Sequence, residues 1–193
     1  MKVYARRISI IFFAILSLLI VFNYVLIQNG KPVSQNHVLS EVSPGLPVRL
    51  RIPKINVDAT IQYVGVNSKG EMNIPSNNSD VAWFNLGPRP GENGSAVISG
   101  HFDGNSGETA VFTNLGKLKV GDKFYILDNK GASFSFIVRE SRTYDPRYSN
   151  SKEAFGLIND GIHLNLITCD GMWDETRKSY TKRLVVFADI LAK

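Results

Sequence analysis

The chain holds a single cysteine, Cys169, among its 193 residues. One thiol cannot pair within the chain, so the disulfide framework common in small exported domains is excluded. Runs of Lys and Arg are missing too. The net charge is +5, but Lys2, Arg6, Arg7 and Lys31 against Glu41 put +3 of it in residues 1–47. The other +2 is spread over a weakly positive remainder, which gives no reason to expect nucleic acid as a partner. No heptad, internal repeat or low-complexity tract is present, so coiled coils and repeat architectures are set aside.

Charge is also absent from residues 8–27, and this gap is the clearest physical signal in the sequence. The run includes Ile10, Ile11, Phe12, Phe13, Leu16, Leu18, Leu19, Ile20, Val21 and Phe22. About 20 apolar residues are what a helix needs to cross the hydrocarbon core. Arg6 and Arg7 precede the run, so the positive-inside rule predicts residues 1–7 in the cytoplasm, 8–28 across the plasma membrane and the rest outside. A cleaved signal peptide would have a shorter apolar core, roughly 7–15 residues, followed by a small-x-small site. Gln28-Asn29-Gly30-Lys31 offers no such site, so an uncleaved anchor is expected. Residues 29–47, with Gly30, Pro32, Ser34, Ser40, Ser43, Pro44, Gly45 and Pro47, read as a flexible polar linker. A folded domain is expected over 48–193.

From Val48 onward the pattern changes to short β-type runs separated by turn residues. Candidate strands lie at 48–52, 60–64, 81–84, 96–99, 123–127, 133–139, 162–169 and 183–191. Turn clusters such as Asn67-Ser68-Lys69-Gly70 and Asp128-Asn129-Lys130-Gly131 fall between them. About eight short strands at this spacing indicate an all-β sandwich or barrel. Only 109–115 and 152–155 read as short helices.

Cys169 closes the alternating run Ile162-His163-Leu164-Asn165-Leu166-Ile167-Thr168, just before an Asp170-Gly171 turn signal. Alternation predicts Leu164, Leu166 and Thr168 on one face of a half-buried strand, with His163, Asn165, Ile167 and Cys169 on the other. A free cysteine is commonly just a small buried apolar residue. A thiol kept alone in an exported domain, at the rigid tip of a strand, is equally well set to react. A nucleophilic thiol needs an acid–base partner, because little of it is thiolate at its free pKa. Of the three histidines, His37 lies in the linker, and His163 shares the strand of Cys169 but sits six residues, about 20 Å, away. His101 remains. It ends the apolar run Ser95-Ala96-Val97-Ile98-Ser99-Gly100 and opens the polar loop Phe102-Asp103-Gly104-Asn105, a rim position where sites are usually built. Acyl transfer also needs fixed donors for the developing oxyanion. Arg183 opens the last run, and a returning loop over 170–182 would bring it beside Cys169; Arg177 and Lys182 in that loop are alternative cations. His101 and Arg183 each also fit a plain solvated rim residue.

With His101, Thr168-Cys169 and Arg183 in this order on an exported β-domain, the chain resembles the sortases, cysteine transpeptidases of Gram-positive and related cell envelopes. The family's Thr-Leu-x-Thr-Cys motif stands here as Asn165-Leu166-Ile167-Thr168-Cys169, with the first threonine replaced. The resemblance spans about residues 48–191. It is most detailed in Arg51-Ile52-Pro53-Lys54-Ile55-Asn56-Val57-Asp58, Leu86-Gly87-Pro88-Arg89-Pro90-Gly91 and Ala96-Val97-Ile98-Ser99-Gly100-His101, which look most like class F, then class E. The resemblance implies an eight-stranded β-barrel with the site at the ends of the cysteine and arginine strands. It implies that Cys169 attacks an Leu-Pro-x-Thr-Gly-like sorting signal, and that an amine of a cell-wall precursor or a pilin lysine resolves the thioacyl-enzyme. His101 would be the acid–base residue and Arg183 the oxyanion and substrate cation. Thr168 would help shape the oxyanion site, although its alternating position fits core packing equally well. Some sortases bind calcium, but no acidic cluster here argues for a metal site, and no cofactor is expected.

Two other readings stay open from sequence. The same residues serve a hydrolase if water resolves the acyl-enzyme. A membrane-tethered binding domain would use Cys169 only for packing. The L,D-transpeptidases are excluded, because their motif has histidine two residues before the cysteine, where this chain has Ile167.

Overall fold

The computed structural model describes residues 43–103, 108–146 and 161–191. Eight strands form one closed barrel: β1 (Pro47–Ile52), β2 (Val57–Val64), β3 (Val81–Phe84), β4 (Gly94–Gly100), β5 (Lys123–Asp128), β6 (Ser133–Tyr144), β7 (Ile162–Asp174) and β8 (Ser179–Ile190). Their order around the barrel is β1-β2-β3-β4-β7-β8-β6-β5, and β5 pairs back onto β1. The all-β, eight-stranded expectation therefore holds. Two neighbouring pairs run parallel, β2 with β3 and β4 with β7, and the other pairs are antiparallel. β1, β4 and β7 consequently start at one end of the barrel, and β4 and β7 finish together at the other.

Alternation fills the barrel. Leu50, Ile52, Ile98, Phe124, Ile126, Phe136, Leu164 and Leu166 are fully buried in a single core. Phe124 and Phe136 stack across β5 and β6 with centroids 5.6 Å apart. Leu164, Leu166 and Thr168 of β7 are buried as the alternation predicts, and Asn165 of the opposite face is buried as well.

Three local expectations are corrected. The stretch 170–182 is not a loop: β7 continues to Asp174 and β8 begins at Ser179, so Arg183 lies within β8 and does not open it. Trp173 and Tyr180 pair across this hairpin, and their β-forming side chains extend the ladder. Asp170-Gly171 reads as a turn because glycine reaches positive φ. Here Gly171, at φ 81°, spends that freedom on a bulge in β7, where register shifts between Asp170 and Trp173. The predicted helix at 109–115 is also absent; turns lead to a single 3-10 turn at Leu115–Lys117. A second 3-10 turn, Pro53–Ile55, follows β1 where Pro53 interrupts the strand pattern. The helix expected at 152–155 and the membrane span expected at 8–28 lie outside the described residues.

The Asp128-Asn129-Lys130-Gly131 turn does form, and it holds the start of the barrel. Asp128 is buried and accepts backbone N–H bonds from Gly45 (2.7 Å), Lys130 (2.9 Å) and Ala132 (2.7 Å). The Asn129 side chain accepts from the Leu46 N–H, and Lys130 Nζ donates to the Ser43 carbonyl. Ser43–Leu46, polar and proline-bearing like the linker, are thus tied to the barrel through backbone groups that composition does not reveal. Burial pushes the Asp128 carboxyl upward, but the backbone donors outweigh it and hold it below the ordinary carboxylate value. A depressed folded-state pKa means stabilisation that is present at neutral pH and lost as pH falls through that value. Asp128→Ala should lower stability at pH 7 by roughly 1–3 kcal/mol, read by urea denaturation, with the deficit shrinking in acid. An unchanged midpoint at pH 7 would contradict this role.

Candidate active site

The register of three neighbouring strands assembles the site. β4 and β7 pair in parallel up to Ser99 and Ile167. Two residues further along lie His101 and Cys169, on the same outward-facing parity. On the other side of β7, Cys169 is the direct antiparallel partner of Arg183 in β8. Such partners have Cα atoms about 4.5–5.5 Å apart. His101, Cys169 and Arg183 are all half-buried at the rim where β4 and β7 end. Of the alternative cations, Lys182 pairs with Asp170 and is exposed, and Arg177 sits at the hairpin tip, 3.6 Å from Asp174. His163 pairs with Asp189 at the opposite end of β7, its Nδ1 donating to the carboxylate at 2.7 Å. His37 lies outside the described residues.

Thr168 points into the barrel and is buried. Its hydroxyl donates to the Gly100 carbonyl at 2.8 Å, across the β4–β7 seam and immediately before the histidine. Gly100 itself is required by space: a Cβ there would lie 2.6 Å from Phe112 Cδ2 and 2.8 Å from Val111 Cγ1. The residue before the cysteine and the residue before the histidine are thereby tied to each other.

His101 Nε2 lies 3.0 Å from the Pro75 carbonyl. A carbonyl only accepts, so Nε2 carries the hydrogen and the neutral ring keeps its lone pair on Nδ1. Arg183 is braced by its own hairpin: Nη1 donates to the carbonyls of Tyr180 (3.0 Å) and Lys182 (2.9 Å), and Nη2 donates to Ser179 Oγ (3.0 Å). Those bonds leave Nε–H and the second Nη2–H of the fork available. Burial pushes the Cys169 thiol above its ordinary value; the Arg183 charge pulls it down and the Asp103 charge pushes it up again. Cys169 therefore rests as the thiol at neutral pH. Among the described residues, no group of three or more His, Cys, Asp or Glu side chains is gathered to hold a metal ion.

Sequence reasoning missed Asp103 and Tyr180. The Tyr180 hydroxyl donates to Asp103 Oδ2; the Asp103 charge acts on Cys169, and Cys169 in turn acts on Tyr180. Their separation of 77 positions hides the contact. The one local signal was the acidic residue two places after His101.

Because the thiolate is the reactive form, alkylation of Cys169 by iodoacetamide should rise with pH, with a midpoint above the ordinary cysteine value. Arg183→Ala should move that midpoint further up, and Asp103→Asn should move it down. Movement of either variant in the opposite direction would contradict the electrostatics described.

The sortase-domain family model matches residues 50–191. Among solved structures, sortase C-1 from Actinomyces oris aligns at TM-score 0.59 and 22% identity, covering 79% of this chain and 77% of that one. Sortase C from Clostridium perfringens SM101 aligns at TM-score 0.57 and 24% identity, with 78% and 72% covered. Sortase A from Corynebacterium diphtheriae aligns at TM-score 0.57 and 19% identity, with 78% and 62% covered. No curated protein matches. The solved structures share the barrel, and the domain match runs from β1 to the end of β8; on these grounds the chain belongs to the sortase family.

Proposed function

We propose that this sortase is a single-pass membrane enzyme that cleaves an Leu-Pro-x-Thr-Gly-like sorting signal and transfers the acyl fragment to an amine of the cell envelope. The observation that carries the reading is the pairing of Cys169 with Arg183 beside the β4 end that bears His101. The uncharged run over 8–27, after Arg6 and Arg7, supports an anchor with the barrel on the outer side. The stretches Arg51–Asp58, Leu86–Gly91 and Ala96–His101 support class F, with class E as the neighbouring assignment.

In the first half-reaction, the Cys169 sulfur, its proton passed to His101, attacks the threonine carbonyl carbon and forms a C–S bond. The carbonyl oxygen takes up negative charge, which Arg183 stabilises through its available Nε–H and Nη2–H. Collapse breaks the C–N bond, and the departing glycine amine takes its proton from His101 Nδ1. In the second half-reaction, an incoming amine attacks the thioester carbonyl, gives its proton to the same imidazole and expels the Cys169 thiolate. The acceptor is a cell-wall precursor or a pilin lysine. Thr168 acts through position, holding the cysteine strand to the histidine strand with its bond to Gly100.

The test is intact-mass spectrometry of the full chain in detergent with an Leu-Pro-x-Thr-Gly peptide library, with and without a short glycine peptide. Wild type should form an acyl adduct and, with amine, a ligated product, whereas Cys169→Ala should form neither. His101→Ala and Arg183→Ala should slow adduct formation by about 10²–10⁴-fold and 10²–10³-fold respectively. An adduct resolved only by water would turn the reading to a hydrolase. No adduct from a folded chain would return Cys169 to packing and leave a binding domain.

A further inference from the structure

The loop that leaves His101 and the strand that carries Arg183 meet at Tyr180. Its hydroxyl donates to Asp103, two residues beyond His101. Its ring is held edge-on by Phe102 at 5.6 Å and by Trp173 at 5.4 Å. Its carbonyl accepts from Arg183 Nη1. One residue therefore braces the guanidinium through its backbone and the histidine loop through its side chain. The loop is further pinned by Phe112 N–H on the His101 carbonyl at 2.9 Å and by Thr113 Oγ1 on the Phe102 carbonyl.

The Asp103 carboxylate is a hazard in this place. It bears on Cys169 as Arg183 does, with the opposite sign. Among the described residues, the charges that act on the thiol are Arg183 from β8 and Asp103 from the loop after β4; Asp170, next to it on β7, is engaged by Thr143 of β6 at 3.2 Å. A released Asp103 would be drawn toward the Arg183 guanidinium, which acts on the same thiol, and a charge-assisted pair would pull that guanidinium off the carbonyls that brace it. The Asp103 bond pushes the Tyr180 hydroxyl up to about 12, so it remains a donor throughout the working range.

Resting on the assignment of Cys169, His101 and Arg183 to the transpeptidation site, we propose that the Tyr180–Asp103 hydrogen bond is a positioning latch. It fixes the loop behind His101 to the arginine strand and keeps the Asp103 carboxylate from capturing Arg183. Tyr180 and Asp103 are positioning residues and touch no reacting atom.

The test uses the full chain as Tyr180→Phe, Asp103→Asn and the double variant, each read by kcat/KM for acyl transfer and by the pH midpoint of Cys169 alkylation with iodoacetamide. Tyr180→Phe keeps the ring and its aromatic contacts, so the barrel should fold. It should lose roughly 10–100-fold in kcat/KM, the scale of a misplaced catalytic group, and its alkylation midpoint should rise as Arg183 is drawn from the thiol. Adding Asp103→Asn should recover most of that loss and bring the midpoint down, a rescue that a merely structural tyrosine would not produce. An unchanged alkylation midpoint in Tyr180→Phe, or a double variant no better than the single, overturns the latch. Alkylation needs no peptide, so the expected midpoint shifts support the latch even where a missing acyl adduct refutes the transpeptidase reading.

Discussion

The parallel seam between β4 and β7 is the constraint on which the site depends. It carries His101 and Cys169 just past the last paired residues of two neighbouring strands. A slip of one residue along that seam would exchange the faces of β7, turning Cys169 inward and Thr168 outward. Closure of the barrel opposes such a slip, because β7 is also registered on β8 and β4 on β3. The Thr168–Gly100 bond locks the last step of the ladder, and Phe112 packs where a side chain on Gly100 would stand. A hydrogen bond of this kind contributes only about 1 kcal/mol net, but it is made inside the barrel, where Thr168 is buried. Register at this rim is therefore held by space and by a buried hydrogen bond together.

Electrostatically Cys169 sits between opposed influences. Burial and Asp103 favour the thiol, and Arg183 favours the thiolate. The result is a thiol that stays protonated at rest, while the Pro75 carbonyl takes the His101 Nε2–H and leaves Nδ1 as that ring's other nitrogen. The arginine that counters burial is itself braced on backbone carbonyls and keeps N–H donors in reserve. In a half-buried rim such fixed donors act without the reorganisation that water would need.

Much of this was legible in the sequence because alternation is a local property. The apolar face of β7 follows from Leu164, Leu166 and Thr168, and β3 can be read directly from Val81–Phe84. The Asp128–Gly131 turn follows from side-chain chemistry at short range. What escaped was either ambiguous locally or non-local. Gly171 supplies a positive φ that suits a turn and a bulge alike, and only the cross-strand pairing of Trp173 with Tyr180 decides between them. The acyl-transfer candidates came from the order of His101, Cys169 and Arg183 and their likeness to a family, whereas the Tyr180–Asp103 contact joins positions that no local pattern connects. The helix at 109–115 failed for a related reason: Phe112 and Leu115 are apolar at helical spacing, yet they serve the barrel core from a turn and from the start of a short 3-10 turn.

The most direct measurement is a crystal structure of the chain alkylated by a sorting-signal peptide whose scissile carbonyl is a thiol-reactive ketone. If the three strands build one site, the peptide is bonded to Cys169 Sγ, with its carbonyl oxygen about 3 Å from Arg183 Nε or Nη2 and its leaving side toward His101 Nδ1. A peptide bonded to Cys169 with its oxygen turned away from Arg183 and His101 facing elsewhere would contradict the shared site.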